Sequence, residues 1–317
     1  MEEGHKRGIQ MNKSKKVGII AMLITALVWS ISFINIKVAV EVVPPMTLGL
    51  LRFVIASVIL IGIVWIKKID LRVEKRDWLN VFLAGALGIT LYFYFENNGI
   101  KYTSASASSL IIATIPVFSV IADAFIYNVK ITRKILLSIL SSLAGVALIV
   151  GFNIEELIST GYAKGYAMMF GAVGAWILYM IVTKPLFERY SQMHLLFYQA
   201  VIGTICFVPF ALMENFDYGL LTPNIVMHIS ILGVFASVVG FYTYLLALDV
   251  LGMSISSVFL NLLPLLTVIF SMFYLKETMT PLQMGGGALI LLSVFLINGQ
   301  EAGPETLEEQ VQLYEHG

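Results

Sequence analysis

Residues 106–116 read SASSLIIATIP, and residues 254–264 read SISSVFLNLLP. Both stretches carry serine at the first, third and fourth places and proline at the last, at a constant offset of 148. The same offset places Tyr94 on Tyr242, Thr132 on Thr280 and Gly151 on Gly299. Nearer the N-terminus it slips by one residue. An offset of 147 places Trp29 on Trp176, Lys37 on Lys184 and Met46 on Met193. A single slip across five apolar segments marks a duplicated unit rather than chance, and such repeats are sought before anything else. The chain thus divides into a segment 1–16, a first unit 17–152, a second unit 164–300 and an acidic tail 301–317 that contains Gly303-Pro304 and reads as frayed.

The composition says what the units are made of. Of 317 residues, 58% are hydrophobic and only 13% charged, with a formal net charge of zero. Soluble domains carry about 25% charge. So few charges cannot cover a soluble surface, which excludes an ordinary cytoplasmic enzyme, a nucleic-acid binder and a disordered scaffold. Cys206 stands alone, so no intrachain disulfide or thiolate metal cluster can form. The four histidines have no ligand spacing, and no phosphate-binding Gly-rich loop is present. No cofactor and no metal is expected.

A membrane-spanning helix needs about 20 apolar residues. Ten runs qualify: 17–40, 46–66, 78–98, 104–127, 133–152, 165–185, 194–213, 224–248, 254–275 and 281–299. Pro44-Pro45 precedes the second, Thr222-Pro223 opens the eighth, and Thr280-Pro281-Leu282-Gln283 opens the tenth as cap, first-turn proline and capping-box glutamine. The first run is too long, and too closely followed by others, for a cleaved signal peptide. The fold class is therefore an all-α polytopic membrane protein of ten transmembrane helices. Five helices per unit is an odd number, so the second unit enters the membrane inverted. Inverted five-helix repeats are a mark of secondary transporters, with the substrate near the midplane between them.

Lysine and arginine set the direction, because cytoplasmic loops are enriched in them. With the N-terminus inside, fifteen of the twenty basic residues fall in inner segments, and only Lys101, Lys164 and Lys276 in outer loops. Both termini are expected in the cytoplasm, in a multi-pass protein of the plasma (inner) membrane. Met11 begins MNKSKK, which reads as a natural bacterial start, so residues 1–10 are set apart.

Four stretches carry a resemblance: ALVWSISFINIKVAV at 26–40, PPMTLGLLRFVIA at 44–56, SASASSLIIATIPVFSVIADAF at 104–125 and SISSVFLNLLPLLTVIFSMFYLKET at 254–278. In order, they resemble an EamA-type member of the drug/metabolite transporter superfamily over about 17–300. The resemblance implies a ten-helix basket with a central cavity, and export or exchange of small metabolites such as amino acids. One departure stands out. The family often has Gly-Glu where the fourth helix ends, whereas here Tyr127-Asn128-Val129 occupies that place and only Lys276-Glu277 remains in the second unit. Glu277 is therefore given no coupling role.

The candidate site residues follow from chemistry at depth. Pro116 and Pro264 each remove a helical hydrogen bond and clash with the carbonyls of Ile112 and Leu260, so they kink their helices and shape or gate a cavity; static kinks are the alternative. Trp29 and Trp176 lie mid-helix rather than in the interface belt, where Trp65 and Trp78 belong, and a buried indole needs a partner or a cavity. Tyr94, Tyr179 and Tyr242, with Tyr92 and Tyr244, are weaker candidates of the same kind. Among the amides Asn35, Asn97, Asn98, Gln199 and Asn261, the last lies one turn before Pro264 and is preferred for substrate contact. The serine-rich starts 104–109 and 254–257 are read mainly as close packing.

Charges within spans cost at least about 2.5–3.5 kcal/mol at a helix centre. Asp123 reads as a partner of Lys130 or Arg133, and Lys37 as snorkelling to the outer surface. Arg52 and Glu96 reach similar depth from opposite directions and are expected to touch as an outer clasp. If they do not, Glu96 is the candidate for proton coupling.

The resulting reading is a secondary transporter of small organic metabolites, exporting by alternating access. Uptake or facilitation is the alternative, and a non-transporting receptor or scaffold the distant one. The expected partners are a small-molecule substrate and the lipid bilayer. Protons and a homodimer stay open, and nucleic acid is excluded.

Overall fold

The computed structural model describes the backbone of residues 2–127, 132–150, 161–187 and 189–301. Residues 302–317 of the acidic tail, Lys130 and the side chains of Asp123, Ser254 and Ser257 lie outside the described residues. Among those described, the regular structure is helical. The elements are α1 (Glu2–Ala39), α2 (Pro45–Lys67), α3 (Trp78–Gly85), α4 (Tyr92–Tyr102), α5 (Ala105–Ile112), α6 (Ile115–Tyr127), α7 (Arg133–Val150), α8 (Tyr162–Phe187), α9 (Gln192–Met213), α10 (Pro223–Ile231), α11 (Phe241–Leu260), α12 (Leu262–Tyr274) and α13 (Pro281–Glu301). A π-helical stretch Ala86–Leu91 joins α3 to α4, and another, Leu232–Gly240, joins α10 to α11.

Eight continuous stretches are long and apolar enough to cross a membrane, and Leu262–Tyr274 and Pro281–Leu296 are shorter apolar helices. Helix is the required answer in hydrocarbon, where backbone groups must be satisfied within the segment. Large apolar side chains such as Val58, Leu137, Phe273 and Phe295 point outward. Exposure of that kind along most of the long helices suits lipid, not water. The protein is an all-α polytopic membrane protein.

Packing between helices follows a pseudo-twofold pattern. α1 lies against α10, α11 and α12, and α8, its counterpart in the second unit, lies against α3, α4 and α5. α2 packs on α9 and α7 on α13. Residues on such an axis touch their own equivalents. Ser57 and Thr204, 147 apart, share a 2.9 Å hydrogen bond. Ser141 Oγ donates to the carbonyl of Leu289, 148 residues on. Off the axis, contacts recur in reciprocal form. A methyl group on Gly85 would lie 2.7 Å from Ile202 Cβ, and one on Gly233, the equivalent of Gly85, 2.7 Å from Ile55 Cβ.

The local breaks are of two kinds. The serine-proline stretch is interrupted between α5 and α6 at Ala113-Thr114, and its counterpart between α11 and α12 at Asn261. These are equivalent positions, three residues before Pro116 and Pro264. The expected loop between the eighth and ninth runs is absent, because Phe241–Leu260 is one helical element. In the first unit Thr103 and Ser104 are extended, and Ser104 Oγ accepts from Ala107 N to open α5. The equivalents are Leu251 and Gly252, which offer no such cap. The capping box at α13 forms as expected, Gln283 N to Thr280 Oγ1 at 3.2 Å and Thr280 N to Gln283 Oε1 at 3.0 Å.

Candidate functional site

A cavity of about 140 Å³ sits where the two units meet. Its lining contains seven pairs of repeat equivalents: Trp29 and Trp176, Phe93 and Phe241, Glu96 and Tyr244, Ile112 and Leu260, Ala113 and Asn261, Ile115 and Leu263, Pro116 and Pro264. A hollow built from equivalent positions lies on the pseudo-twofold axis. The breaks before the two prolines lie on its wall, where Ala113 and Asn261 line it.

The walls are aromatic. Trp29 meets Phe241 edge-on and leans on Tyr244, both at 5.2 Å between centroids. Its indole N–H donates to the Ala236 carbonyl at 3.2 Å. That carbonyl belongs to the second π-helical stretch, whose irregular turns free acceptors, as π-bulges do at functional sites. Trp176 packs between Tyr92 at 5.0 Å and Tyr179 at 4.9 Å.

Two charges line the same hollow. Arg52 is 2% exposed and Glu96 4%. No ion pair joins them: among the described residues, ion pairs are Arg72–Asp70, Arg76–Glu74 and Arg189–Asp77. The expected clasp is therefore corrected. Arg52 reaches across to the other unit, where its Nε donates to Ser237 Oγ at 2.6 Å, and its guanidinium lies 4.2 Å from the centre of the Phe93 ring. Glu96 instead turns back one helical turn and accepts from Tyr92 OH at 2.7 Å.

Of the residues singled out from sequence, Trp29, Trp176, Asn261, Pro116, Pro264, Arg52 and Glu96 surround the cavity. Tyr179 is one layer behind, with its hydroxyl on Gln199 Oε1 at 3.3 Å. Tyr94 and Tyr242 are elsewhere. Tyr94 packs edge-on with Phe95, and Tyr242 is 40% exposed with Lys67 Nζ near its ring. Two residues along a helix rotate a side chain by about 200°, so Tyr92 and Tyr244 take the inward places instead. Phe93, Phe241 and Ser32 were missed, the 148 offset pairing Phe93 with Phe241 being the available signal, and Ser109, from the serine-rich start read mainly as packing, also lines the cavity.

One end of the bundle is locked by charged groups at helix termini. Pro44 gives α2 no side-chain cap. Glu214, just past α9, supplies it, accepting from Met46 N at 3.0 Å, Thr47 N at 2.7 Å and Thr47 Oγ1 at 2.8 Å. Glu277, past α12, caps α5 through Ala105 N at 2.8 Å, Ser106 N at 3.1 Å and Ser106 Oγ at 2.7 Å. Lys37 does not snorkel outward. Its ammonium donates to the carbonyls of Ile100, Lys101 and Thr103 at the end of α4. At the opposite end Asp77 accepts from Arg189 and from Tyr190 OH. Among the described residues, no three His, Cys, Asp or Glu cluster as a metal site would need.

The EamA-like transporter family model matches residues 16–151 and 163–299. An uncharacterized transporter of Archaeoglobus fulgidus is 28% identical over 281 residues, 88% of this chain and 96% of its own. YetK of Bacillus subtilis, an uncharacterized transporter, is 28% identical over 264 residues, 82% and 80% of the two chains. A probable terminal-alkyne amino-acid exporter of Streptantibioticus cattleyicolor is 28% identical over 291 residues, 89% and 94%. A solved crystal structure shares the fold, with a TM-score of 0.62 at 18% identity over 90% of this chain and 98% of that one. With the family model covering both units and full-length relatives alongside it, this chain belongs to the EamA-like transporter family.

Proposed function

We propose that the protein exports small organic metabolites across the plasma membrane by alternating access. In this reading ten spans form two inverted five-helix units, 17–152 and 164–300, with both termini in the cytoplasm. The observation that carries it is the cavity lined by repeat-equivalent residues. A site on a pseudo-twofold axis is exposed to one side when one unit takes a given shape, and to the other side when the units exchange shapes. Trp29, Trp176 and Asn261 contact the substrate, together with Tyr92 and Tyr244. The breaks before Pro116 and Pro264 are the hinges.

On this topology the end locked by Glu214 and Glu277 faces outward, with Lys37 tying α1 to α4 inside the first unit, and Asp77–Arg189 faces the cytoplasm. Each lock between units must open in turn. The exporter name of the Streptantibioticus cattleyicolor relative supports the direction. Glu96, which accepts from Tyr92 OH and forms no ion pair with Arg52, is the acid available for proton coupling. The test loads proteoliposomes with a defined metabolite mixture and follows release by mass spectrometry. Protein-dependent release of particular solutes is expected. Release no faster than from protein-free liposomes refutes the reading.

A further inference from the structure

The repeat supplies an internal comparison between the two ends of the molecule. α2 and α9 are equivalent helices, and the chain after each passes through a left-handed residue at equivalent places. These are Lys68, with φ 50°, and Asn215, 147 residues on, with φ 47°. Asparagine is one of the few residues besides glycine that takes this conformation readily, and lysine is not. The segments also differ in charge. Residues 67–76 carry Lys67, Lys68, Arg72, Lys75 and Arg76 against Asp70 and Glu74, whereas residues 214–223 carry Glu214 and Asp217 and no base. A helix end of this shape is thus built without lysine or arginine in one unit, so its shape does not require them in the other.

The basic segment is held in place. Tyr198 OH donates to the Leu71 carbonyl at 2.7 Å, and Glu74 N donates to Tyr190 OH at 3.0 Å. Its charge is largely unspent. Lys68 and Lys75 form no ion pair among the described residues, and Arg72, 93% exposed, stands 3.9 Å from Asp70, a pairing that water screens. At the end of α2 lies an open recess of about 540 Å³, walled by Val64, Trp65, Ile66 and Ile69, with Lys68 as the one charged residue in its lining. Trp65 is 81% exposed and Ile66 74%. A tryptophan so exposed at a helix end belongs at headgroup level, its ring against acyl chains and its N–H toward the polar layer.

Resting on the topology proposed above, which puts this end in the cytoplasmic leaflet, we infer that the end of α2 binds an anionic phospholipid, with an acyl chain along Trp65, Ile66 and Ile69 and the phosphate at Lys68, in the positive field of the segment. Free phosphate uses the cation but leaves the apolar wall uncovered. A zwitterionic lipid covers the wall but brings its own ammonium toward the lysines. An anionic phosphodiester on two acyl chains satisfies both. The general excess of basic residues on the cytoplasmic side is met by lysine anywhere in the segment. It does not call for lysine at the one position where the backbone disfavours it and the recess opens, and a residue kept in such a conformation points to a function.

The experiment titrates the purified protein in phosphatidylcholine mixed micelles with phosphatidylglycerol, with further phosphatidylcholine or with inorganic phosphate, and reads the melting temperature. A ligand bound to the folded state alone raises it as its concentration passes its Kd. Phosphatidylglycerol should do so, and the other two should not. Lys68→Asn places at 68 the residue that the second unit has at 215. In phosphatidylcholine alone it should therefore melt no lower than the unaltered protein, while about fivefold more phosphatidylglycerol is needed for the same shift, the worth of one cation near an anionic surface. Arg72→Gln should displace the curve in the same direction, and it decides alone should Lys68→Asn fail to fold. Lys134→Asn, which removes an exposed base in the first turn of α7, should leave the curve where it is. Equal shifts from the two lipids, an equal shift from inorganic phosphate, a curve unmoved by Lys68→Asn and Arg72→Gln, or one moved as far by Lys134→Asn overturns the inference. Micelles have no sides and no solute is moved in them, so such a result leaves the topology and the transporter reading standing.

Discussion

Removing Glu277 isolates one helix terminus whose donors can be fully accounted for. The first helical N–H groups of α5 belong to Ala105, Ser106 and Ala107. Glu277 takes the first two and the Ser104 hydroxyl takes the third at 3.0 Å. The next, Ser108 N, already bonds the Ser104 carbonyl at 3.0 Å. Glu277→Ala therefore orphans two backbone donors and frees the buried Ser106 hydroxyl, which keeps only Ser271. Each unpaired buried donor costs about 1–3 kcal/mol. Glu277 itself is only half-buried, so water recovers part of that loss. The expected destabilisation is about 2–4 kcal/mol. Ser104→Ala removes one cap bond and should cost about 1 kcal/mol. Glu277→Gln keeps one acceptor but turns an amide toward a donor, and should cost about 1–2 kcal/mol. Reversible unfolding in mixed micelles, followed by circular dichroism, gives the three values. An order in which Ser104→Ala costs more than Glu277→Ala, or a Glu277→Ala loss below about 0.5 kcal/mol, would refute the capping account.

Other consequences are equally specific. Lys37→Met keeps the side-chain length but leaves three carbonyls at the end of α4 without their donor, and should lower stability by about 1–3 kcal/mol in the same assay. Gly145→Ala would put a Cβ 2.6 Å from the Gly286 carbonyl oxygen, whereas at Gly62 nothing lies within 4 Å. The first change should therefore destabilise by about 1–3 kcal/mol and Gly62→Ala stabilise by about 0.5–1 kcal/mol, read as opposite shifts in melting temperature. With Cys206 replaced, single cysteines at Ser14 and Gln300 should resist an impermeant thiol reagent applied outside intact cells, and labelling of either would reverse the topology.

The repeat was legible because duplication preserves residue identity at a fixed offset. Serine and proline at 106–116 and 254–264 marked the two helix breaks that open the cavity. The mid-helix tryptophans were legible for a different reason, since depth in the membrane makes an indole conspicuous. Depth misled for Arg52 and Glu96. Equal height says nothing about the angle at which a side chain leaves its helix, and here Ser237 and Tyr92 are the nearer partners. Identity also misled for Tyr94 and Tyr242, because like residues at equivalent positions are shared as readily on an outer face as around a cavity. Glu96 and Tyr244, equivalent positions that both line the cavity, show that the two units differ there in charge. The caps by Glu214 and Glu277 join segments 168 and 172 residues apart in sequence. Nothing local announces them, beyond an acid just past a helix end and a Pro44 that leaves α2 uncapped.

Two-sided access to the cavity tests the central claim most directly. A single cysteine at Asn261, in a chain with Cys206 replaced by serine, stands on the cavity wall at the break before Pro264. An impermeant thiol reagent is applied from outside to intact cells and, separately, to inverted vesicles. Alternating access predicts labelling from both sides, each slowed when the transported solute is present. Labelling from one side only, whatever the solute, would contradict it.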